Sequence, residues 1–366
     1  MKVILAAGGS GGHIFPSVAL AGELEKKGVE EIFFVSSKRR LDTNILKDCK
    51  YSCFFLSVNP MPLKFRPIRM LTFIFNLLCD GIRSAGLVFK IRPDVVVGFG
   101  GYSSGAIVLV SKLCGIPVII HEQNYFPGRA NKILGKIADK IAISFYESEK
   151  YLSDKKGRVV HTGNPLRLDI LTNNRANSAL RLGLAPEKTT IFIMGGSQGS
   201  SFLNRTASRA VLNVKEKYPD TVQIVHITGS KDHETIREFY DDNDVINKTV
   251  SFMERIDDAY AVSDIVVSRS GAAAVFELAY YGKAMILVPY PNPKNNQRSN
   301  AVYFEEKGAA VYKEESEISE DMLAREILDL LEDPDKRTSI GKRAGKLALP
   351  DAGKSLAEEV IRLGNK

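Results

Sequence analysis

His13 stands where a proton could be moved beside a bound anion. It closes the run Gly8-Gly9-Ser10-Gly11-Gly12, which follows the apolar stretch Val3-Ile4-Leu5-Ala6-Ala7 and precedes Pro16-Ser17-Val18-Ala19-Leu20-Ala21-Gly22-Glu23-Leu24. Read as strand, glycine loop and helix with Pro in its first turn, this order turns backbone N–H groups at a helix N-terminus toward an anion. An imidazole there can take or give a proton near neutral pH. A similar run recurs as Phe192-Ile193-Met194-Gly195-Gly196-Ser197-Gln198-Gly199. Tight strand-to-helix packing explains one such loop equally well; two at matching places favour a pair of anion sites.

Other clusters share the setting. Gly98-Phe99-Gly100-Gly101-Tyr102-Ser103-Ser104-Gly105 is one, and Ser268-Arg269-Ser270-Gly271-Ala272-Ala273 another. In the second, small residues admit a phosphate and Arg269 adds a fixed charge. Glu277, farther along that helix, could accept ribose hydroxyls or simply face solvent, and its local context favours solvent. His121-Glu122-Gln123-Asn124 sets four polar residues directly after a buried strand, either facing a site or capping a loop. Asn295-Asn296-Gln297 precedes a helix and could be an N-cap. No dinucleotide fingerprint or P-loop is present, and Ser36-Ser37-Lys38-Arg39 offers no acidic ribose ligand after the second strand. The five histidines are scattered, with no metal-ligand spacing, so no metal is expected.

These residues need a scaffold of alternating strands and helices. In the first half, strands are expected over 2–7, 32–36, 94–99, 117–121 and 140–144, with helices over 16–27, within 67–90, over 104–114 and over 127–138. In the second half, strands are expected over 190–194, 222–227, 264–268 and 284–289, with helices over 202–217, 233–240, 272–281 and 297–307. Nearly continuous apolar strands in this alternation predict doubly wound parallel sheets. The join falls near Gly163-Asn164-Pro165, where His161 to Arg167 could reach a ligand, and the polar run 172–178 reads as linker. The tail after Ile318 reads as helical throughout.

A chain of 366 residues should hold about two domains. Its 44% hydrophobic and 25% charged content is that of an ordinary globular protein, and a net charge of +7 suits anionic partners without selecting one. Cys49, Cys53, Cys79 and Cys114 make no metal-like spacing and are expected as reduced thiols. No signal peptide is read, and no stretch is read as apolar enough to span a bilayer. The segment 49–79 lacks any acidic residue and interleaves Lys50, Lys64, Arg66 and Arg69 with many large apolar residues. It could be a core helix with basic flanks or a surface seated on anionic lipid.

Taken in order, Gly8–His13, Gly100-Gly101-Tyr102, His121-Glu122-Gln123-Asn124, Gly163-Asn164-Pro165-Leu166-Arg167, Gly195–Gly199, Arg269-Ser270-Gly271-Ala272 and Gln297 before Asn300-Ala301 make the chain resemble the MurG family over nearly its whole length. The resemblance implies a GT-B fold: two Rossmann-like doubly wound domains facing across a cleft, with a last helix crossing back. Domains are expected at 1–163 (acceptor and membrane association), 164–345 (donor) and 346–366 (returning helix). It implies an inverting, metal-independent transfer of N-acetylglucosamine from UDP-N-acetylglucosamine to lipid I, giving lipid II for peptidoglycan. This would take place on the cytoplasmic face of the bacterial membrane, with a peripheral patch over 63–78, no cofactor and no nucleic acid, and with cell-wall synthesis proteins as possible partners.

By the same resemblance, His13 is the base candidate, and Glu122 and Tyr102 support the acceptor. Ser10, Gly11, Gly12 and Asn124 approach a diphosphate. Arg167, Ser197 and Gln198 contact UDP or its sugar, and Met253 lies at the uracil. Arg269 and the backbone at Gly271, Ala272 and Ala273 meet the diphosphate. Glu277 binds ribose, and Asn296 and Gln297 contact the sugar. Ser10 replaces the usual threonine, and the loop before Gln297 lacks the usual acidic residue. The alternatives are another GT-B enzyme (a natural-product glycosyltransferase or a UDP-sugar epimerase) and a non-catalytic UDP-sugar-binding scaffold.

Overall fold

The computed structural model describes residues 1–47, 49–57, 67–152, 157–167, 174–196, 198–292 and 296–365. The chain divides into two compact units, Met1–Arg167 with Leu349–Lys366, and Leu168–Ala348.

The first unit is built on a parallel sheet of seven strands. They are β1 (Lys2–Ala6), β2 (Glu31–Ser37), β3 (Ser52–Leu56), β4 (Val95–Gly98), β5 (Val118–Glu122), β6 (Lys140–Ile143) and β7 (Val159–His161), in the order β3-β2-β1-β4-β5-β6-β7. Strand order reverses between β1 and β4, and crevices at such a switch point hold ligands at the carboxyl ends of the strands. Ala6 pairs with Gly98, so the Gly8–His13 loop and the Gly98–Gly101 loop leave the sheet side by side. Alternate residues of β1 feed two different cores, Val3 and Leu5 into one and Ile4 and Ala6 into the other. Burial on both faces explains why this strand reads as one apolar run.

The helix Gly11–Lys26 begins five residues before the expected start at Pro16, with Ser10 at its N-cap position. His13 therefore sits in the first helical turn, with its own N–H donating back to the Ser10 oxygen at 3.2 Å. The last helix, Ala352–Gly364, packs Leu356, Ala357, Val360 and Leu363 into the core that holds Val3, Leu20 and Leu24. It thus closes the first unit from the far end of the chain.

The second unit repeats the plan with β8 (Thr189–Met194), β9 (Val222–Ile227), β10 (Asn247–Val250), β11 (Ile265–Ser268), β12 (Ala284–Leu287) and β13 (Val311–Tyr312), ordered β10-β9-β8-β11-β12-β13. Met194 pairs with Ser268, which brings the Gly195–Gly199 loop beside Arg269 at this sheet's switch point. All nine strands expected from sequence are present. The four missed, β3, β7, β10 and β13, are the edge strands of the two sheets.

The helix Pro67–Ile91 corrects one expectation. Among the described residues its stretch Leu71–Ile91 is long and apolar enough to cross a membrane, by length and composition. Leu71, Phe75, Leu78, Ile82 and Phe89 are exposed, so this face is not core. On the inner side, Asp80 is buried and accepts the Ser57 N–H at 3.0 Å. Of the expected patch over 63–78, residues 63–66 lie outside the described residues.

Candidate active site

In the first unit, the Nδ1 of His13 lies 3.0 Å from the Gly8 carbonyl oxygen and 3.3 Å from Ser10 Oγ. A carbonyl oxygen only accepts, so Nδ1 carries the proton in the neutral ring. Nε2 is left with its lone pair and meets no partner among the described residues. The loop itself is fixed from behind by Asp42, fully buried, whose Oδ2 accepts from Gly9 N at 2.7 Å, Ser37 Oγ at 2.5 Å and Ser36 Oγ at 3.4 Å. Gly101, at φ +75°, comes so close that a Cβ there would lie 2.6 Å from the Gly8 oxygen and 3.4 Å from His13 Nδ1. The two glycine loops thus hold the imidazole between them. Tyr102 opens the next helix, Tyr102–Leu113, with its side chain half exposed.

Glu122 is held within its own loop. Its buried carboxylate takes four donors from its own loop: Asn124 N (2.9 Å), Asn124 Nδ2 (3.1 Å), Gly128 N (2.9 Å) and Asn131 Nδ2 (2.8 Å). The carboxylate shapes the loop and orients Asn124. Neighbouring His121 is wholly buried. It donates from Nε2 to the Gly163 oxygen (3.1 Å) and accepts from Gln123 at Nδ1 (3.0 Å). Burial pulls its pKa down to about 4, so it is neutral and structural. Arg167 belongs to this unit, its guanidinium stacked 4.8 Å from the Phe15 ring on the helix that follows the glycine loop.

In the second unit, a cavity of about 330 Å³ opens at the switch point, lined by Gly195, Gly199, Ser200, Arg269, Gln297 and Glu315, among others. Ser200 caps the helix Ser201–Lys217, accepting from Leu203 N at 3.3 Å, and so brings a helix N-terminus to the cavity wall. The loop leaves no room for side chains: a Cβ on Gly199, at φ +75°, would strike the Thr228 oxygen at 2.0 Å. Thr228 is held in turn by a buried chain. Asn204 Nδ2 donates to the Thr228 oxygen (2.8 Å) and to Asp232 (2.9 Å), and Asn204 Oδ1 accepts from His226 Nε2 (3.1 Å). Burial lowers the His226 pKa to about 3 and keeps the ring neutral.

Arg269 is buried, and its guanidinium donates to the Val288 oxygen (3.0 Å), the Pro289 oxygen (3.0 Å) and Ser200 Oγ (2.6 Å). It also forms an ion pair with Glu315. Gly271 caps the helix Ala272–Tyr280, and the space before it is open, with no heavy atom within 4 Å of a built Cβ. Ala272 and Ala273 make the first turn, which carries no acidic side chain. Glu277 does not face solvent: it is buried and accepts from Tyr260 OH at 2.7 Å. Gln297 accepts from Tyr290 N at 3.0 Å through its side chain and from Ser270 Oγ at 2.8 Å through its carbonyl. Asn296 holds the N-cap position of the helix Gln297–Glu306 without a side-chain cap bond. Met253 is half-buried in the loop after β10, and Gln198 is exposed. Ser197 lies outside the described residues.

Sequence reasoning missed Asp42, Asn131, Ser200 and Glu315. Asp42 carried a signal, being the one acid in the basic run Lys38–Lys47. Glu315 carried none, because it follows an edge strand of two residues.

Two Rossmann-type units in one chain, each with a glycine loop and helix N-terminus at its switch point, and with the last helix returned to the first unit, define a GT-B glycosyltransferase. The glycosyltransferase family 28 N-terminal domain model matches residues 3–143 and the family 28 C-terminal domain model residues 190–356. The chain is 34% identical to the UDP-N-acetylglucosamine--N-acetylmuramyl-(pentapeptide) pyrophosphoryl-undecaprenol N-acetylglucosamine transferase of Myxococcus xanthus, covering 99% of this chain and 93% of the relative. It is 35% identical to the protein of the same name in Flavobacterium psychrophilum, over 99% and 97%. Among solved structures, the MurG of Acinetobacter baumannii superposes with a TM-score of 0.76 at 25% identity, covering 99% of both chains. The chain belongs to the MurG family.

Proposed function

We propose that the protein transfers N-acetylglucosamine from UDP-N-acetylglucosamine to the 4-hydroxyl of the N-acetylmuramoyl residue of lipid I, giving lipid II with inversion at the anomeric carbon. The observation that carries this reading is the His13 ring. Its proton is committed to the Gly8 carbonyl, so Nε2 is a base ready to accept the acceptor hydroxyl's proton as that oxygen attacks. The N–H groups of Ser10, Gly11 and Gly12 approach the acceptor diphosphate, with Asn124 and Tyr102 as further contacts. Glu122 acts as a positioning residue for Asn124. Arg167 and the loop at Ser197 and Gln198 approach UDP or its sugar.

Negative charge grows on UDP as it leaves. The cavity at Ser200 and Arg269 and the open helix start at Gly271, Ala272 and Ala273 supply fixed donors for it. Glu277, oriented by Tyr260, takes ribose; Met253 takes uracil; Gln297 and Asn296 take the sugar. The exposed apolar face of the helix Pro67–Ile91 seats the enzyme peripherally on the anionic inner face of the membrane, where the lipid-linked acceptor resides.

The test is incorporation of labelled N-acetylglucosamine from the UDP donor into lipid I. Turnover of UDP-glucose with a soluble aglycone, and none with lipid I, would overturn the reading.

A further inference from the structure

Arg269 is the cation buried in the second unit's cavity, and its charge is already answered. Its N–H groups are aimed at the Val288 and Pro289 carbonyls and at Ser200 Oγ. Those three bonds fix the guanidinium to the segment that follows β12 and to a helix cap, independently of any acid. Glu315 touches the same guanidinium as an ion pair, yet its Oε2 is buried and accepts no aligned hydrogen bond. It also reaches into the cavity from the segment after β13 and lines the wall beside Ser200 and Gln297. Arg269 would keep its position without it, so the pairing is not what places the arginine.

On the reading that this cavity receives the diphosphate of UDP, two anions compete for one guanidinium. A carboxylate and a phosphate cannot both lie against it without mutual repulsion, which in a part-buried site is far stronger than in water. We propose that Glu315 is the counter-charge a nucleoside diphosphate displaces from Arg269, so that it weakens retention of UDP and speeds its departure after transfer. An enzyme whose product is a diphosphate gains from this arrangement. A cavity with unopposed positive charge would hold the product tightly, and product release commonly limits turnover.

The test compares the full chain with its Glu315→Gln variant, which keeps shape and removes charge. UDP and uridine are titrated by calorimetry. The expected result is about tenfold tighter UDP binding in the variant, uridine binding unchanged, and a lower kcat from slower release. The uridine titration also reports that the variant is folded around its site. Equal UDP affinity in the two proteins overturns the proposal alone, as does an equal change for UDP and uridine, which would make Glu315 a shaping residue. Failure of UDP to bind either protein overturns the donor reading and the proposal with it.

Discussion

His13 Nδ1 and the Gly8 carbonyl oxygen are 3.0 Å apart, and this contact sets the imidazole tautomer. The oxygen belongs to the same loop whose N–H groups are proposed to face the acceptor diphosphate. On that proposal one short segment supplies both an anion cradle and an oriented base. His13→Ala should lower kcat by roughly 10²–10⁴-fold, the range for loss of a general base. UDP affinity should stay at the parent value, because the cavity proposed for the donor belongs to the other unit. Labelled-sugar incorporation and UDP calorimetry check the two halves of this expectation; a variant with parental turnover removes His13 as the base.

Gly101 is the second support of the ring. Alanine there must adopt a positive φ and place Cβ 2.6 Å from the Gly8 oxygen. The expected outcome is a loss of about 1–3 kcal/mol in stability, with a fall in kcat as the Gly8 carbonyl is pushed off the imidazole. Gly105→Ala is the control, since a Cβ there meets nothing within 4 Å. Urea unfolding and kcat for both variants decide the matter.

Two buried histidines predict an acid limit to stability. His121 and His226 have folded-state pKa values lowered by burial to about 4 and about 3, against 6.5 for the free side chain. Between those values the unfolded chain binds protons that the native chain refuses. Stability is therefore complete above pH 6.5 and declines as pH falls toward 4, by about 1.4 kcal/mol per unit for each histidine. Urea midpoints measured from pH 7.5 to 4.5 should fall accordingly. His226→Gln, which keeps a donor for Asn204, should reduce that slope by about one proton. A slope unchanged by the substitution would assign the acid limit to other groups.

The helix Pro67–Ile91 predicts lipid dependence. Phe75→Ser with Ile82→Ser removes two exposed apolar side chains and leaves the buried Asp80 contact intact. Sedimentation with vesicles containing anionic lipid should drop markedly, while UDP binding stays constant. Arg66→Glu with Arg69→Glu should weaken vesicle binding in the same assay and make the remainder less dependent on anionic lipid. Vesicle binding unaltered by both pairs would remove this face from the membrane reading.

The strands at the centre of each sheet, the glycine loops at their ends and the motif order that carries the MurG resemblance were legible in the residues alone. Each is local: an apolar run buried on both faces, then small residues, then a helix start. The edge strands were not legible: β7 and β13 are only three and two residues long, β10 reads Asn247-Lys248-Thr249-Val250, and the apolar run of β3 lies in a segment whose composition also reads as a lipid-facing surface. Glu277 shows the same limit. Helix periodicity could not reveal that Tyr260, from another element, turns its carboxylate inward.

What only the tertiary structure decided is which distant groups meet. Sheet order sets Ala6 beside Gly98 and Met194 beside Ser268, and so joins loops that lie far apart in the chain. From that follow the clamp of Gly101 on His13, the hold of Asp42 on Gly9, the commitment of Glu122 to its own loop and the pairing of Arg269 with Glu315. A sequence fixes which donors and acceptors exist and how each segment hides its apolar face. The partner each polar atom takes depends on parallel strand pairing across the switch point, which forms only when the whole sheet does.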